Sequence, residues 1–217
     1  MIRPTLLGLC SLLLLSYQGP IPRTRPSTGA GLLVHCVQDG KHWLLLGHDR
    51  RGFWEILGGH TETRKSLDKG TRKETPLETA AREGFEESRM LLSYDGILTK
   101  ARRLGSSDGF TIFTLESAHI PRSGFRDAFI PADWKSYDEM DDYAWVEVSS
   151  FLAEIRRRTR ASEVRLAALD GRHEIQGLRP ALFAPLKKLT SLWGVLVGGP
   201  KDEVKTRPTT GKGARRK

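Results

Sequence analysis

The chain has 217 residues, 38% hydrophobic and 28% charged, the balance of a soluble globular protein with room for one well-cored domain and appendages. Two cysteines, Cys10 and Cys36, exclude a disulfide scaffold. The net charge of +9 is lopsided, because residues 151–217 hold 16 Lys and Arg against 6 Asp and Glu while the remainder holds 19 against 20; a polyanion-binding surface would belong to the C-terminal third.

In chain order, Arg3 precedes the apolar run LLGLCSLLLL at residues 6–15, the length of a signal-peptide core and short of the roughly 20 residues that span a bilayer. Residues 1–20 therefore read as a signal-peptide-like or hydrophobic leader, with no stable membrane span expected once it is removed. A genuine leader implies a secreted or periplasmic protein. A misassigned start or an ordinary buried segment implies a cytoplasmic one. Residues 21–28 form a Pro-rich linker.

GLLVHCV and HWLLLG flank Asp39-Gly40, which predicts a β-hairpin. FWEIL leads into Gly58-Gly59, and a polar stretch, HTETRKSLDKGTRK, follows. ILTKARRL and FTIFTLE read as two strands joined by GSSDG, residues 117–140 as an ordered loop, and DYAWVEV as a strand. Ser150 is expected to cap a helix starting FLAEIRRR, and VRLAAL and PALFAPLKKL read as short helices, the second limited by Pro185. Residues 198–217 have the composition of a disordered basic tail. Strands on both sides of a central helix, closed by a terminal helix, imply a mixed sheet covered on both faces. Gly-rich dinucleotide and P-loop patterns are absent, so the fold is not a doubly wound nucleotide fold.

The central helix carries the chemistry. Thr75 suits the N-cap, Pro76 the first helical position, and Glu78 completes a capping box. At 100° per residue, Leu77, Ala81, Gly84, Phe85 and Ser88 share one arc, and Glu83, Glu86 and Glu87 the opposite one. Like charges at these offsets repel. A solvated face would interleave cations, whereas Arg82 and Arg89 sit along one edge of the acids. The alternative to a solvated face is a hard divalent cation, Mg²⁺ or Mn²⁺, which takes carboxylate oxygens.

Gly59, then Glu74, then Arg82-Glu83 and Glu86-Glu87 resemble the Nudix box, G-x5-E-x7-R-E-U-x-E-E-x-G-U, with U a bulky aliphatic residue. The E-x7-R-E-x-x-E-E portion matches at every charged position. The resemblance covers roughly residues 29–160, a Nudix hydrolase domain, leaving 161–197 as a C-terminal helical extension. Three positions depart from the pattern. Fourteen residues instead of five separate Gly59 from Glu74, Gly84 stands for the aliphatic residue, and Arg89 stands for the glycine that would end the helix.

The resemblance implies an α/β/α sandwich with a mixed β-sheet, and metal-dependent hydrolysis of a nucleoside diphosphate linked to another moiety. It implies Glu83, Glu86 and Glu87 as metal ligands and catalytic acids, and the Gly59 carbonyl as a further ligand. Arg82 would orient a glutamate, and Glu74 would pair with it or support the metal. An ordinary ion pair of Arg82 with Glu86 is compatible with that role. Asp138, Glu139, Asp141 and Asp142 are candidates for a further acid or base. His48, Arg50 and Arg51 are candidates for phosphate contact; Trp54 could stack on a base or belong to the core. His60 and the basic residues Arg64, Lys65, Lys69, Arg72 and Lys73 of the polar stretch are weaker candidates for polyphosphate contact. Competing readings are a catalytically weak Nudix-like module binding nucleotide or RNA through the basic C-terminal region, and a structural acidic face docking a basic partner.

Overall fold

The computed structural model describes residues 28–66, 70–133, 139–171 and 174–196, with backbone alone at 65–66 and 190–196. The leader at 1–20, Asp138, Lys69 and the tail at 198–217 lie outside the described residues, as does the Lys65 side chain.

Strands β1 (Gly29–Gln38) and β2 (Lys41–Asp49) form the expected hairpin. Asp39 and Gly40 both hold positive φ, 52° and 72°, the backbone of the two-residue turn that matches strand twist. β3 (Trp54–Glu55) and β4 (Leu57–His60) follow, then a small hairpin, β5 (Thr63–Ser66) and β6 (Gly70–Lys73), from the polar stretch. Helix α1 (Pro76–Glu87) starts at Thr75 with the capping box in place: Glu78 N–H donates to Thr75 Oγ1 and Thr75 N–H to Glu78 Oε2.

Helix α2 (Tyr94–Lys100) corrects the strand expected at ILTKARRL. Ser93 accepts from Gly96 N–H as an N-cap, so Ile97 to Lys100 are helical and strand begins only at β7 (Arg102–Ser107). β8 (Phe110–Glu116) pairs with it across Asp108-Gly109, again a positive-φ pair. A short helix, α3 (Arg122–Arg126), interrupts the expected loop; β9 (Met140–Glu147) and α4 (Val148–Arg157) follow. VRLAAL is not a helix: β10 (Arg165–Ala167) pairs antiparallel with β11 (Glu174–Gln176), and alternation buries Leu166 between more exposed neighbours. Nor does Pro185 end the last helix. α5 (Pro180–Leu196) runs through it, with Leu182, Phe183, Leu186 and Leu189 buried on both sides of the proline, so packing outweighs the lost backbone bond.

The main sheet has the order β3-β2-β1-β8-β7, with β4 also pairing β1 and β9 pairing β2. β1 and β8 are parallel and the other pairs antiparallel, giving the mixed sheet expected. Alternation divides the core. Leu32, Val34, Leu45, Phe113, Tyr143 and Trp145 pack with α1 and α2, while Leu33, Leu44, Leu46, Ile112 and Val146 pack with α4 and α5. The protein is thus an α/β/α sandwich, with α1 lying along β1 and β4. Among the described residues, no helix is long and apolar enough to cross a membrane.

Candidate active site

The acidic arc of α1 does not face solvent. Glu83 and Glu87 are only 9% and 4% exposed, and Glu86 is half-buried. The glycines of β4 make this possible. Gly58 N–H donates to Glu87 Oε2 at 2.6 Å, and a Cβ on Gly59 would fall 2.2 Å from Glu83 Oε1. The Gly58-Gly59 backbone therefore forms the wall against which two carboxylates rest. The opposite arc is close-packed too: a Cβ on Gly84 would come within 2.9 Å of Leu32 Cδ2 and 3.0 Å of Ile97 Cδ1, so an aliphatic side chain there would have to push those two side-chain ends aside.

Arg82 organises the acids. Its Nε donates to Glu74 Oε1 at 3.1 Å, Nη2 to the His60 carbonyl at 2.8 Å, and Nη1 to Glu86 Oε2 at 3.2 Å, while Nη2 lies 2.9 Å from Glu83 Oε1. Glu74 is held in turn by Arg64 at 2.5 Å, the Thr79 hydroxyl and the Glu62 backbone N–H. Burial alone would raise Glu74, but the hydrogen bond from Arg82, that backbone N–H and the charges of Arg82 and Arg64 lower it below the usual carboxylate range. Burial opposes the charge on Arg82 too, and its acidic partners more than compensate, raising it.

The three helix acids behave differently. Burial pushes Glu83 up to about 7, against the pull of Arg82 and with the help of Glu86. Glu86 is raised mainly by burial. Glu87 is raised well above the carboxylate range by burial, then by the charges of Glu83 and Glu55. One guanidinium shared with Glu74 does not neutralise this set. Among the described residues, however, no group of three or more His, Cys, Asp or Glu side chains is already drawn closely enough together to hold an ion.

The remaining candidates separate. Trp54 is buried in the core, tilted against the His48 ring at 4.9 Å between centroids. Arg51 is committed to Asp49, its Nε donating to Oδ2 at 2.8 Å. Arg50, at the end of β2, lies 3.6 Å from Asp141. Asp142 accepts from Arg122 Nε at 2.6 Å. His60 Nδ1 lies 3.3 Å from the Thr28 carbonyl, and Arg72 is paired with Glu78. Of the loop acids described, Glu139 is the one whose charge bears on Glu83, Glu86 and Glu87 together.

One participant is not singled out by the sequence reading. Glu55, 2% exposed and pushed up to about 7 by burial, accepts from Arg179 Nη1 at 2.6 Å and adds to the negative field at Glu87. An acid inside the apolar run FWEIL was a signal of a buried charge requiring a partner; the partner's identity was not readable. Arg89, which the sequence marks only as a cation beside the acids and a stand-in for glycine, turns its guanidinium onto the carbonyls of Phe125 and Met140.

No family model and no curated protein matches the chain. Solved structures to which it is similar include a C. elegans Ap4A hydrolase in a binary complex, at 15% identity over 79% of this chain and 98% of that one, TM-score 0.42. A Nudix hydrolase from M. smegmatis, RenU, is 18% identical over 78% and 88%, TM-score 0.43. The NUDIX domain of Shewanella oneidensis NrtR, complexed with ADP ribose, is 14% identical over 63% and 82%, TM-score 0.36. What the site can do is read from its own residues.

Proposed function

We propose that the chain hydrolyses a diphosphate bond in a nucleoside diphosphate linked to another moiety, with Mg²⁺ or, in its place, Mn²⁺. The observation that carries this reading is the burial of Glu83 and Glu87 against the Gly58-Gly59 backbone, where desolvation and mutual repulsion make the charged forms costly without a further cation. An all-oxygen donor set of this charge fits a hard cation and offers nothing to a soft one. Glu83, Glu86 and Glu87, with the Gly59 carbonyl, would hold it. Bound there, it would neutralise diphosphate charge and lower the pKa of an attacking water.

The chain's own residues prepare that chemistry. Arg82 fixes the carboxylates of Glu83 and Glu86 through charge-assisted bonds, and Glu74 holds Arg82 in place. Gly58 N–H orients Glu87. Glu139, the described loop acid whose charge bears on all three helix acids, would take a proton from water, and Arg50 and His48 stand at the end of β2 for phosphate contact.

A second reading, a catalytically weak module that binds nucleotide or RNA, is favoured by one observation: Arg82 already engages Glu83 and Glu86, the very oxygens a metal would need. The deciding experiment is metal-dependent phosphate release from a panel of nucleoside diphosphate derivatives, with products identified. Turnover with Mg²⁺ that is lost in Glu86→Gln supports hydrolysis. Salt-sensitive RNA binding without turnover supports the second reading.

A further inference from the structure

Helix α1 ends where the Nudix pattern has glycine, and here the residue is Arg89. Its backbone is left-handed at φ 55°, and Met90 follows at φ 64°. Met90 N–H donates to the Phe85 carbonyl at 2.8 Å and Arg89 N–H to that of Glu86 at 2.9 Å, the wrap-around that closes a helix C-terminus and that glycine enters without strain. An arginine is a costly choice for this backbone, and its side chain shows what the chain gains.

The guanidinium leaves the helix end and collects carbonyls from two separate stretches. Nη1 donates to Phe125 O at 3.1 Å and Arg126 O at 3.3 Å, at the end of α3, and Nη2 donates to Met140 O at 2.9 Å, at the start of β9. It also lies over the Tyr143 ring, 5.8 Å from the centroid, while the Tyr143 hydroxyl donates to the Glu87 carbonyl at 2.6 Å. Met140 is the neighbour of Glu139. One planar fork thus ties the helix that carries Glu83, Glu86 and Glu87 to the backbone beside Glu139.

We propose that Arg89 is a positioning residue that fixes Glu139 at the acidic cluster. The proposal rests on the hydrolase reading of that cluster, with Glu139 as the loop acid acting beside it. A methionine at 89 fills similar volume but binds no carbonyl, and a lysine keeps the charge with a single point of contact in place of the fork. Displacing a reacting group by about 1 Å costs on the order of 10²-fold in rate, so the effect should be large without loss of substrate binding.

Two measurements test it on the full chain. Hydrogen exchange in metal-free buffer, comparing wild type, Arg89→Lys and Arg89→Met, should show faster exchange of the amides at 122–127 and 139–140 in Arg89→Met, intermediate rates in Arg89→Lys, and unchanged rates in β1 and β2. Unchanged exchange at 139–140 overturns the proposal, and Arg89→Lys carries the comparison if Arg89→Met fails to fold. In turnover, Arg89→Met should lower kcat by at least about 10-fold with KM nearly constant, and the double variant with Glu139→Gln should be no slower than Glu139→Gln alone. Additive losses overturn the proposal while leaving the hydrolase reading intact. Absence of wild-type turnover removes that reading, and the exchange result still decides whether Arg89 holds the segment.

Discussion

Arg179 Nη1 lies 2.6 Å from Glu55 Oε2 across a sequence separation of 124 residues, and Arg179 N–H donates to the Trp54 carbonyl at 3.0 Å. The C-terminal segment therefore supplies the hydrogen-bonded counter-charge for a buried acid, with Arg51 a more distant cation at 4.0 Å. Removing one partner of a buried pair costs up to about 3–5 kcal/mol, unless the orphaned group neutralises itself. Glu55 has that escape, because burial already pushes it up to about 7. Arg179→Met should accordingly destabilise the protein much more at pH 8 than at pH 5, and adding Glu55→Gln should recover most of the loss. Denaturant unfolding at the two pH values measures both; a loss independent of pH would show that Glu55 is not the group left uncompensated.

In metal-free buffer the protein should be more stable at pH 5 than at pH 8. The folded chain holds Glu55 and Glu83 at about 7, against an ordinary value of 4.5, and burial raises Glu87 well above its ordinary value too. Between those values the folded state binds more protons than the unfolded, so stability is lost as pH rises through the window. Glu86 is raised by burial as well, and His35, lowered by burial, works the other way, one group against four. Glu83→Gln should flatten the curve of melting temperature against pH. A curve unchanged by that substitution would contradict the burial of Glu83.

Two adjacent glycines should fail in opposite ways. A Cβ on Gly58 would meet Ala30 O and Gly31 Cα at 2.6 Å, rigid backbone of the paired strand, so Gly58→Ala should cost more than about 2 kcal/mol of stability. On Gly59 the Cβ meets the Glu83 carboxylate, which can swing aside. Gly59→Ala should leave the melting temperature nearly unchanged and abolish metal-dependent turnover. Thermal melts beside the phosphate-release assay separate the two.

Glu86→Gln and Glu87→Gln should each reduce metal-dependent hydrolysis by orders of magnitude while leaving the metal-free protein no less stable, since Gln keeps the shape and removes a desolvated charge. Mg²⁺ should raise the melting temperature of wild type and raise that of the variants far less. Equal shifts in all three would remove the metal-site reading.

Local signals were the legible ones, except the expected Ser150 cap: α4 already begins at Val148, and Ser150 lies within it. The capping box at Thr75 and the Asp39-Gly40 and Asp108-Gly109 turns follow from chemistry within four residues, and the structure shows each. The strand expected from Ile97 failed because Ser93, just outside the run, caps a helix through it. The helix expected from Val164 failed because period-2 burial of a three-residue strand is too short to outweigh propensity. At the site, sequence spacing placed the acids on one arc of α1. It could not show that the arc is buried, since this depends on the bare backbone of Gly58 and Gly59 coming to meet it. Arg179 and the reach of Arg89 were illegible for the same reason: their partners are set by tertiary approach alone.

The β5–β6 hairpin separates two kinds of distance. Its strands pair from Thr63↔Lys73 to Ser66↔Gly70, and at its base Glu74 N–H donates to the Glu62 carbonyl at 2.9 Å, so the chain leaves and returns at one point. The nine residues that lengthen the interval between Gly59 and Glu74 add contour but no displacement, and Glu74 still reaches Arg82 as a directly connected residue would. A rule that counts residues along the chain measures the detour. The guanidinium of Arg82 responds only to the straight line, and by that measure nothing has been inserted.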